Sequence, residues 1–328
     1  MKKLRAGVIG LGSMGANHAR VLGKMNGVDL VAIADSANFT RNEIPNRLIL
    51  HSVEDVIAKG VDYCVVAIPT AFHEEVSVKL IESGIHVLIE KPLAHNTESA
   101  MRIASAARKA GVVAGVGHIE RYNAAIKQAR IRIENGDLGE IYQIGTRRVG
   151  PFPARIADVG VVMDLCTHDI DLTSWLGDAT YDNVTSRARA LSGRSHEDLV
   201  VVVATLKNGI IVSHLVNWIS PQKERNIVVT GEKGTFIIDT LSTDLTFCEN
   251  GRVAVTQEPL ALLKGVSQGD IITFAFDKPE PLFVEHVNFR DALLGKSSEL
   301  VTLDQALRTV KIAEAVITSY NSQEMVKL

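Results

Sequence analysis

Apolar positions follow two different rhythms along this chain. In the first third, short, mostly apolar runs alternate with stretches of helical spacing. Leu4–Ile9, Leu30–Ala34, Cys64–Ile68, Val87–Ile89 and Val112–Val116 are such runs, the pattern of strands buried on both faces. Between them, Met14–Met25, Phe72–Glu82 and a segment opening at Asn96 or Thr97 and stopping at Gly111 carry helical spacing with cap residues or glycines at their ends. This alternation predicts a parallel sheet wound with helices on both sides, an α/β domain.

Near residue 120 the rhythm changes. Asn123–Glu134 reads as an amphipathic helix ended by Asn135-Gly136, Ile141–Val149 as a strand, and Val162–Leu176 as a helix stopped by Gly177. From about Asn183 to Val255 the chain becomes a series of strand-like runs. Leu199–Leu206, Gly209–Trp218, Arg225–Thr230 and Thr235–Thr240 are joined by short glycine-containing turns, the signature of an antiparallel meander. Helices over Leu282–Leu294 and Asp304–Tyr320 close the chain. The expected division is a doubly wound domain over 1–119 and an α+β domain over 120–328, built on a large, mostly antiparallel open sheet. Strands Leu199–Leu206 and Gly209–Trp218 carry apolar residues on both faces, so self-association into a homodimer or homotetramer is expected.

Composition narrows the function classes. A chain of 328 residues exceeds one ordinary core, which agrees with two domains. With 46% hydrophobic and 22% charged residues it is a folded globular protein, and a net charge of −3 argues against a nucleic-acid partner. No apolar run approaches the length of a membrane span, and the amino-terminal apolar stretch is too short and glycine-broken for a signal peptide. Cys64, Cys166 and Cys248 lie far apart without metal-ligand spacing, so they read as reduced thiols of a cytoplasmic protein with no metal site.

The first chemistry-bearing motif is Gly10-Leu11-Gly12-Ser13-Met14-Gly15, a G-x-G-x-x-G turn. It follows a strand, opens a helix, and is followed by Asp35 at the end of the second strand, the context of a Rossmann dinucleotide site. Gly10 permits the tight turn, Gly12 admits a pyrophosphate, and Gly15 lets helix and strand pack. The helix amino terminus at Ser13 and Met14 offers N–H groups to phosphates. Asp35 suits ribose hydroxyls and repels a 2′-phosphate, which favours NAD over NADP. However, Asn38, Thr40, Asn42, Pro45 and Asn46 weaken the helix expected after it, and Arg41 could serve a 2′-phosphate, so NADP stays possible. His18, one turn beyond the glycines, is assigned no chemistry.

Further motifs occur in a recognisable order. Ile68-Pro69-Thr70 with His73, then Gly84-Ile85-His86-Val87-Leu88-Ile89-Glu90-Lys91-Pro92, then Gly117-His118 with Arg121-Tyr122, then Asp164-x-x-x-His168, together resemble the Gfo/Idh/MocA oxidoreductases. Lys91 follows a strand at the carboxyl end of a parallel sheet, where such folds bind ligands. Asp164 and His168 are four apart on a helix and share a face that Asp171 and Trp175 continue. Oxidising an alcohol needs a base for the hydroxyl proton and a cation for the developing alkoxide. The resemblance implies His168 as the base, Lys91 as the alkoxide stabiliser, and Asp164 as the partner that holds substrate or orients the histidine. It also implies cofactor contacts from Ile68, Pro69, Thr70, His73, Glu90 and Lys91. A dinucleotide-responsive regulator of the same fold would have no chemical need of these three residues.

The substrate is expected to be a sugar or related small molecule. Arg147, Arg148 and Arg155 flank the stiff loop Gly150-Pro151-Phe152-Pro153, and guanidinium groups bind phosphates in pairs. The alternative is that these arginines pair with acidic neighbours. Arg121, Tyr122 and Arg155 are candidate substrate contacts alongside Lys91, Asp164 and His168. Asp158–Leu165 is similar to the branch of the family that oxidises the C3 hydroxyl of UDP-N-acetylglucosamine; an inositol- or aldose-type dehydrogenase is the other reading.

Overall fold

The computed structural model describes residues 3–35, 49–152, 159–251 and 267–328. The segment after Asp35, with Arg41, and the loop carrying Arg155 lie outside the described residues. Contacts divide the chain into two compact units, 1–119 with 280–314, and 120–279 with 315–328. The expected division gave all of 120–328 to the second domain. Residues 280–314 instead pack with the first unit.

The first unit holds a six-stranded, wholly parallel sheet. Its strands are β1 (Leu4–Ile9), β2 (Val28–Ala34), β3 (Ile49–Leu50), β4 (Tyr63–Val66), β5 (His86–Glu90) and β6 (Ala114–Gly117), in the spatial order β3-β2-β1-β4-β5-β6. The order reverses between β1 and β4, and ligands of such sheets bind at the carboxyl ends beside that switch. Helices α1 (Ser13–Leu22), α2 (Val53–Ala58), α3 (His73–Glu82) and α4 (Thr97–Ala110) connect the strands. Two apolar clusters follow, one around Val66, Leu80, Ile89 and Ile103, the other around Val8, Leu22, Ile33 and Phe289. Helix α4 begins where Asn96 accepts the Ser99 N–H and ends at Gly111, whose left-handed φ of 65° suits glycine.

The returning segment belongs to this core by its side chains. Helix α5 (Ala124–Glu134) lies in the second unit, as does α6 (Thr167–Leu176), whereas α7 (Pro281–Leu293) packs against α1. Phe289 of α7 lies 5.3 Å from Tyr63, ring to ring, and Val116 of β6 donates its N–H to Val301. A last helix, α8 (Leu303–Ser322), begins in the first unit.

The second unit is built on nine strands: β7 (Ile141–Pro151), β8 (Tyr181–Arg189), β9 (Leu199–Leu206), β10 (Ile211–Asn217), β11 (Ile219–Gly231), β12 (Gly234–Asp239), β13 (Asp244–Gly251), β14 (Ser267–Thr273) and β15 (Val326–Lys327). Their order is β14-β13-β12-β11-β7-β10-β9-β8-β15. The sheet is mostly antiparallel, but it is not a simple meander. Strand β7, from ahead of α6, inserts between β10 and β11 and runs parallel to β10. Along β9, buried Val200, Val202 and Ala204 alternate with exposed Val201 and Val203. One face is therefore packed and the other presents apolar side chains. Among the described residues, no helix is long and apolar enough to cross a membrane.

Candidate active site

In the first unit the glycine-rich turn joins β1 to α1. Gly10 has φ of 95°, and a Cβ there would lie 2.3 Å from the Ala67 carbonyl oxygen, so only glycine serves. A Cβ on Gly15 would lie 1.8 Å from the Gly10 carbonyl oxygen, which makes this glycine the helix–strand packing point. Gly12 differs, because a Cβ there would meet nothing within 4 Å. The chain's own packing does not demand a glycine at this exposed position. Room for an approaching pyrophosphate explains it, and the amino terminus of α1 has no side-chain cap to occupy its N–H groups. Asp35 turns its carboxylate onto this turn, where Oδ2 accepts the Leu11 N–H. The turn therefore fits a dinucleotide.

Beside it, β4 leads through Ile68 and Pro69 into the short turn Thr70–Phe72. His73 is buried and faces inward. Its Nε2 lies 2.9 Å from the Ile68 carbonyl oxygen and its Nδ1 3.0 Å from that of Pro92. Burial pulls this imidazole below its usual range, although the three carbonyls around it, Ile68, Pro92 and Leu93, act the other way. His73 thus ties the turn after β4 to the turn after β5. At the end of β5, Glu90 points into the protein and Lys91 follows with partial exposure. The Lys91–Pro92 peptide is cis.

In the second unit, Asp164 lies in a wide π-helical turn, Val162–Cys166, that runs directly into α6. Such turns are rare and recur at functional sites. The turn is anchored at its start by Glu197, whose Oε1 accepts the Val162 N–H at 3.0 Å and whose backbone carbonyl accepts that of Val161. Asp164 and His168 are 6% and 8% exposed, buried yet close to the surface. Helix α6 is buried nearly all round despite its polarity, so its side chains require partners. Asp171 takes a paired interaction from Arg121 at 2.6 and 2.7 Å, and the Arg121 guanidinium sits 5.5 Å over the Trp175 ring. Asp169 accepts Arg148 Nε at 3.0 Å, and Arg148 also donates to Glu120 at 2.7 Å. Burial raises the Asp169 carboxyl, only partly opposed by Arg148. Burial would lower the Arg148 guanidinium, but Asp169 and Glu120 outweigh that and hold it above its ordinary value.

Beneath α6 runs a buried hydrogen-bonded chain. His214 Nδ1 meets Thr146 Oγ1 and Nε2 meets the Tyr181 hydroxyl, both at 2.7 Å, and Tyr181 meets Thr173 Oγ1 at 2.6 Å. Burial and the Arg148 charge push His214 down to about 3, so the ring is neutral.

Residues 4–118 match the oxidoreductase family profile of the Gfo/Idh/MocA proteins, described as an NAD-binding Rossmann fold, and residues 126–237 match that family's carboxy-terminal domain. The chain belongs to the Gfo/Idh/MocA oxidoreductase family. An inositol 2-dehydrogenase of Corynebacterium glutamicum is 30% identical over 66% of this chain and 67% of its own. A UDP-N-acetylglucosamine 3-dehydrogenase of Acidithiobacillus ferrooxidans is 28% identical over 79% of this chain and 81% of its own. A solved structure of the UDP-N-acetylglucosamine 3-dehydrogenase GnnA from that organism superposes with a TM-score of 0.85 at 25% identity, covering 98% of this chain and 99% of that one.

As a Gfo/Idh/MocA oxidoreductase the chain carries its NAD-binding unit over the glycine turn. The residues expected to share one role do not all behave alike. Gly10, Gly12, Ser13, Met14, Gly15 and Asp35 cluster at the carboxyl ends of β1 and β2, with Ile68, Pro69 and Thr70 beside them after β4. Glu90 and His73 turn inward instead. Arg121 is committed to Asp171, Tyr122 is buried, and Arg147 and Arg148 pair with Glu224, Glu120 and Asp169. For those two arginines, acidic neighbours are the observed partners. Glu197 escaped the sequence reading, because its polar stretch Ser195-His196-Glu197-Asp198 has no motif and its target lies 35 residues away.

Proposed function

We propose that this protein oxidises a secondary hydroxyl of a nucleotide sugar, with His168 as general base, Lys91 as the cation at the reacting oxygen and Asp164 as the group that orients His168 or substrate. The observation that carries the reading is the joint presence of a glycine turn with room for pyrophosphate, Lys91 after β5, and the buried Asp164–His168 pair on its widened turn. NAD, when bound, supplies the hydride acceptor. An imidazole four residues from a carboxylate is suited to taking a hydroxyl proton near neutral pH. A lysine ammonium stabilises charge as it develops on that oxygen. Asp35 supports NAD rather than NADP, since a carboxylate repels a 2′-phosphate.

The nucleotide-sugar class is favoured by the length of the match to the UDP-N-acetylglucosamine 3-dehydrogenase and by the likeness of the two folds. Inositol is the second reading, favoured by the 30% identity to an inositol 2-dehydrogenase. We also propose a cytoplasmic homo-oligomer. Val201, Val203, Ile211, Val228 and Ile237 leave an apolar sheet face that a second copy would cover. The deciding assay presents purified protein and NAD, or NADP, with UDP-N-acetylglucosamine and, separately, myo-inositol. NADH formation with the nucleotide sugar is expected. Formation with inositol alone overturns the nucleotide-sugar reading, and reduction of neither cofactor with either substrate overturns both.

A further inference from the structure

A second cluster of titratable side chains lies wholly within the first unit, and of its members only Glu90 was given a role by the sequence, as a cofactor contact. His18 of α1, Glu90 at the end of β5, and Glu285 and His286 of α7 are 0%, 7%, 0% and 1% exposed. Packing alone gives no reason to bury four such groups together, since apolar residues would fill the space at lower cost. They are arranged as a chain. His286 Nε2 lies 2.9 Å from His18 Nδ1, His18 Nε2 lies 2.8 Å from Glu90 Oε1, and Glu90 Oε2 accepts the Lys91 N–H at 3.1 Å. The fold leaves space for this carboxylate. A Cβ on Gly117 of the neighbouring strand would lie only 3.3 Å from it.

We propose that Glu90 and His18 are positioning residues for Lys91, a buried carboxylate–imidazole pair that fixes the Lys91 backbone from behind. The proposal rests on the reading of Lys91 as the cation at the reacting oxygen.

The charge distribution follows from the surroundings. Burial pushes the Glu90 carboxyl up, but the His18 hydrogen bond and charge, with the charge and N–H of Lys91, outweigh it, so Glu90 is ionised. Burial and then the Glu90 charge push Glu285 well up, so this acid is neutral, and neither of its oxygens has a hydrogen-bond partner among the described residues. Burial and then the His18 charge push His286 well down, so it is a neutral ring. Two carboxyl groups this deeply buried do not ionise together. An ionised carboxylate only accepts, so His18 must carry its proton on Nε2, facing Glu90. The nitrogen pair between His18 and His286 then shares one further proton, which His18 donates if it is imidazolium and His286 donates if it is not.

The helix that offers its amino terminus to pyrophosphate is therefore the helix that clamps Glu90. His18 acts on Lys91 through the Glu90 carboxylate, which hydrogen-bonds to both. A filler role for His18 would leave the Lys91 amide indifferent to its loss, whereas a positioning role would not.

The test compares backbone amide exchange at Lys91, followed by NMR in the full chain, with steady-state kinetics on UDP-N-acetylglucosamine and myo-inositol. Removing a hydrogen bond to a charged group should speed Lys91 exchange by about ten- to a hundredfold in Glu90→Ala. The same acceleration is expected in His18→Leu, and His18→Gln, which keeps a donor at the Nε2 position, should restore most of the protection. With a substrate that turns over, kcat should fall with the exchange change while the Kd for NAD stays within about threefold. Wild-type exchange at Lys91 in His18→Leu, with a normal melting temperature, overturns the proposal. If His18→Leu does not fold, Glu90→Ala decides, since slow Lys91 exchange in Glu90→Ala together with wild-type kcat also overturns it. Lys91→Met separates the two claims. Undiminished turnover in that variant removes Lys91 from the reaction, whatever the exchange data say.

Discussion

Single atoms decide the roles of the glycines and the histidine. Gly15→Ala would force a Cβ to 1.8 Å from a backbone oxygen, so it should unfold the turn and lower the melting temperature sharply. Gly12→Ala meets nothing, and it should melt like the wild type while weakening NAD binding, measured by calorimetry. If Gly12→Ala bound NAD as tightly as the wild type, the pyrophosphate would have to lie elsewhere. His168→Ala should lower kcat by about 10²- to 10⁴-fold, the usual worth of a general base, with NAD affinity retained. Unchanged turnover would remove His168 from the mechanism. The turn glycines were legible in the sequence because a tight turn depends on neighbours within a few residues. The inward turn of His73 and Glu90 was not, because their partners Pro92 and His18 come from other strands and helices.

Elements position the chemistry. The four-residue spacing of Asp164 and His168 predicted a shared helix face, and the structure adds that the face begins on a π-helical turn pinned by Glu197. Removing that pin in Glu197→Ala should cost about 1–2 kcal/mol of stability, as lost caps do, and lower kcat more than NAD affinity. A variant with full stability and full kcat would show that the turn holds itself. Helix α6 explains why Arg121 and Arg148 pair with acidic neighbours. Burying Asp169 and Asp171 on one helix requires two guanidinium groups as partners. A reading of the arginine-rich segment by itself favoured phosphate as readily as carboxylate.

The whole molecule carries a pH signature and a surface. His214 is held down to about 3, and His73 and His286 are shifted the same way, whereas the unfolded chain's histidines titrate near 6.5. Below about pH 6.5 the unfolded state binds more protons, so stability is full above that value and falls as pH drops toward about 3. Melting temperature against pH should follow this slope, and His214→Gln should flatten it. On the open sheet, Val203→Lys with Ile211→Lys should convert an oligomer to a monomer in light scattering without loss of NAD binding. A wild-type protein that is already monomeric at micromolar concentration would exclude that interface.

Apolar rhythm, cap residues and the glycine turn were enough to establish a parallel dinucleotide unit followed by a mostly antiparallel one, because strand burial, helix capping and tight turns are local properties of the chain. Family membership was equally readable, since its motifs are short and ordered. Three features needed the tertiary structure: the insertion of β7 between β10 and β11, the return of residues 280–314 to the first unit, and the partners of the buried charges. Each depends on residues tens to hundreds of positions apart meeting in space. His18 is the clearest case. By sequence it is a residue one turn past the glycines with no assigned chemistry, and only the arrival of α7 and the end of β5 on either side give it a carboxylate to hold.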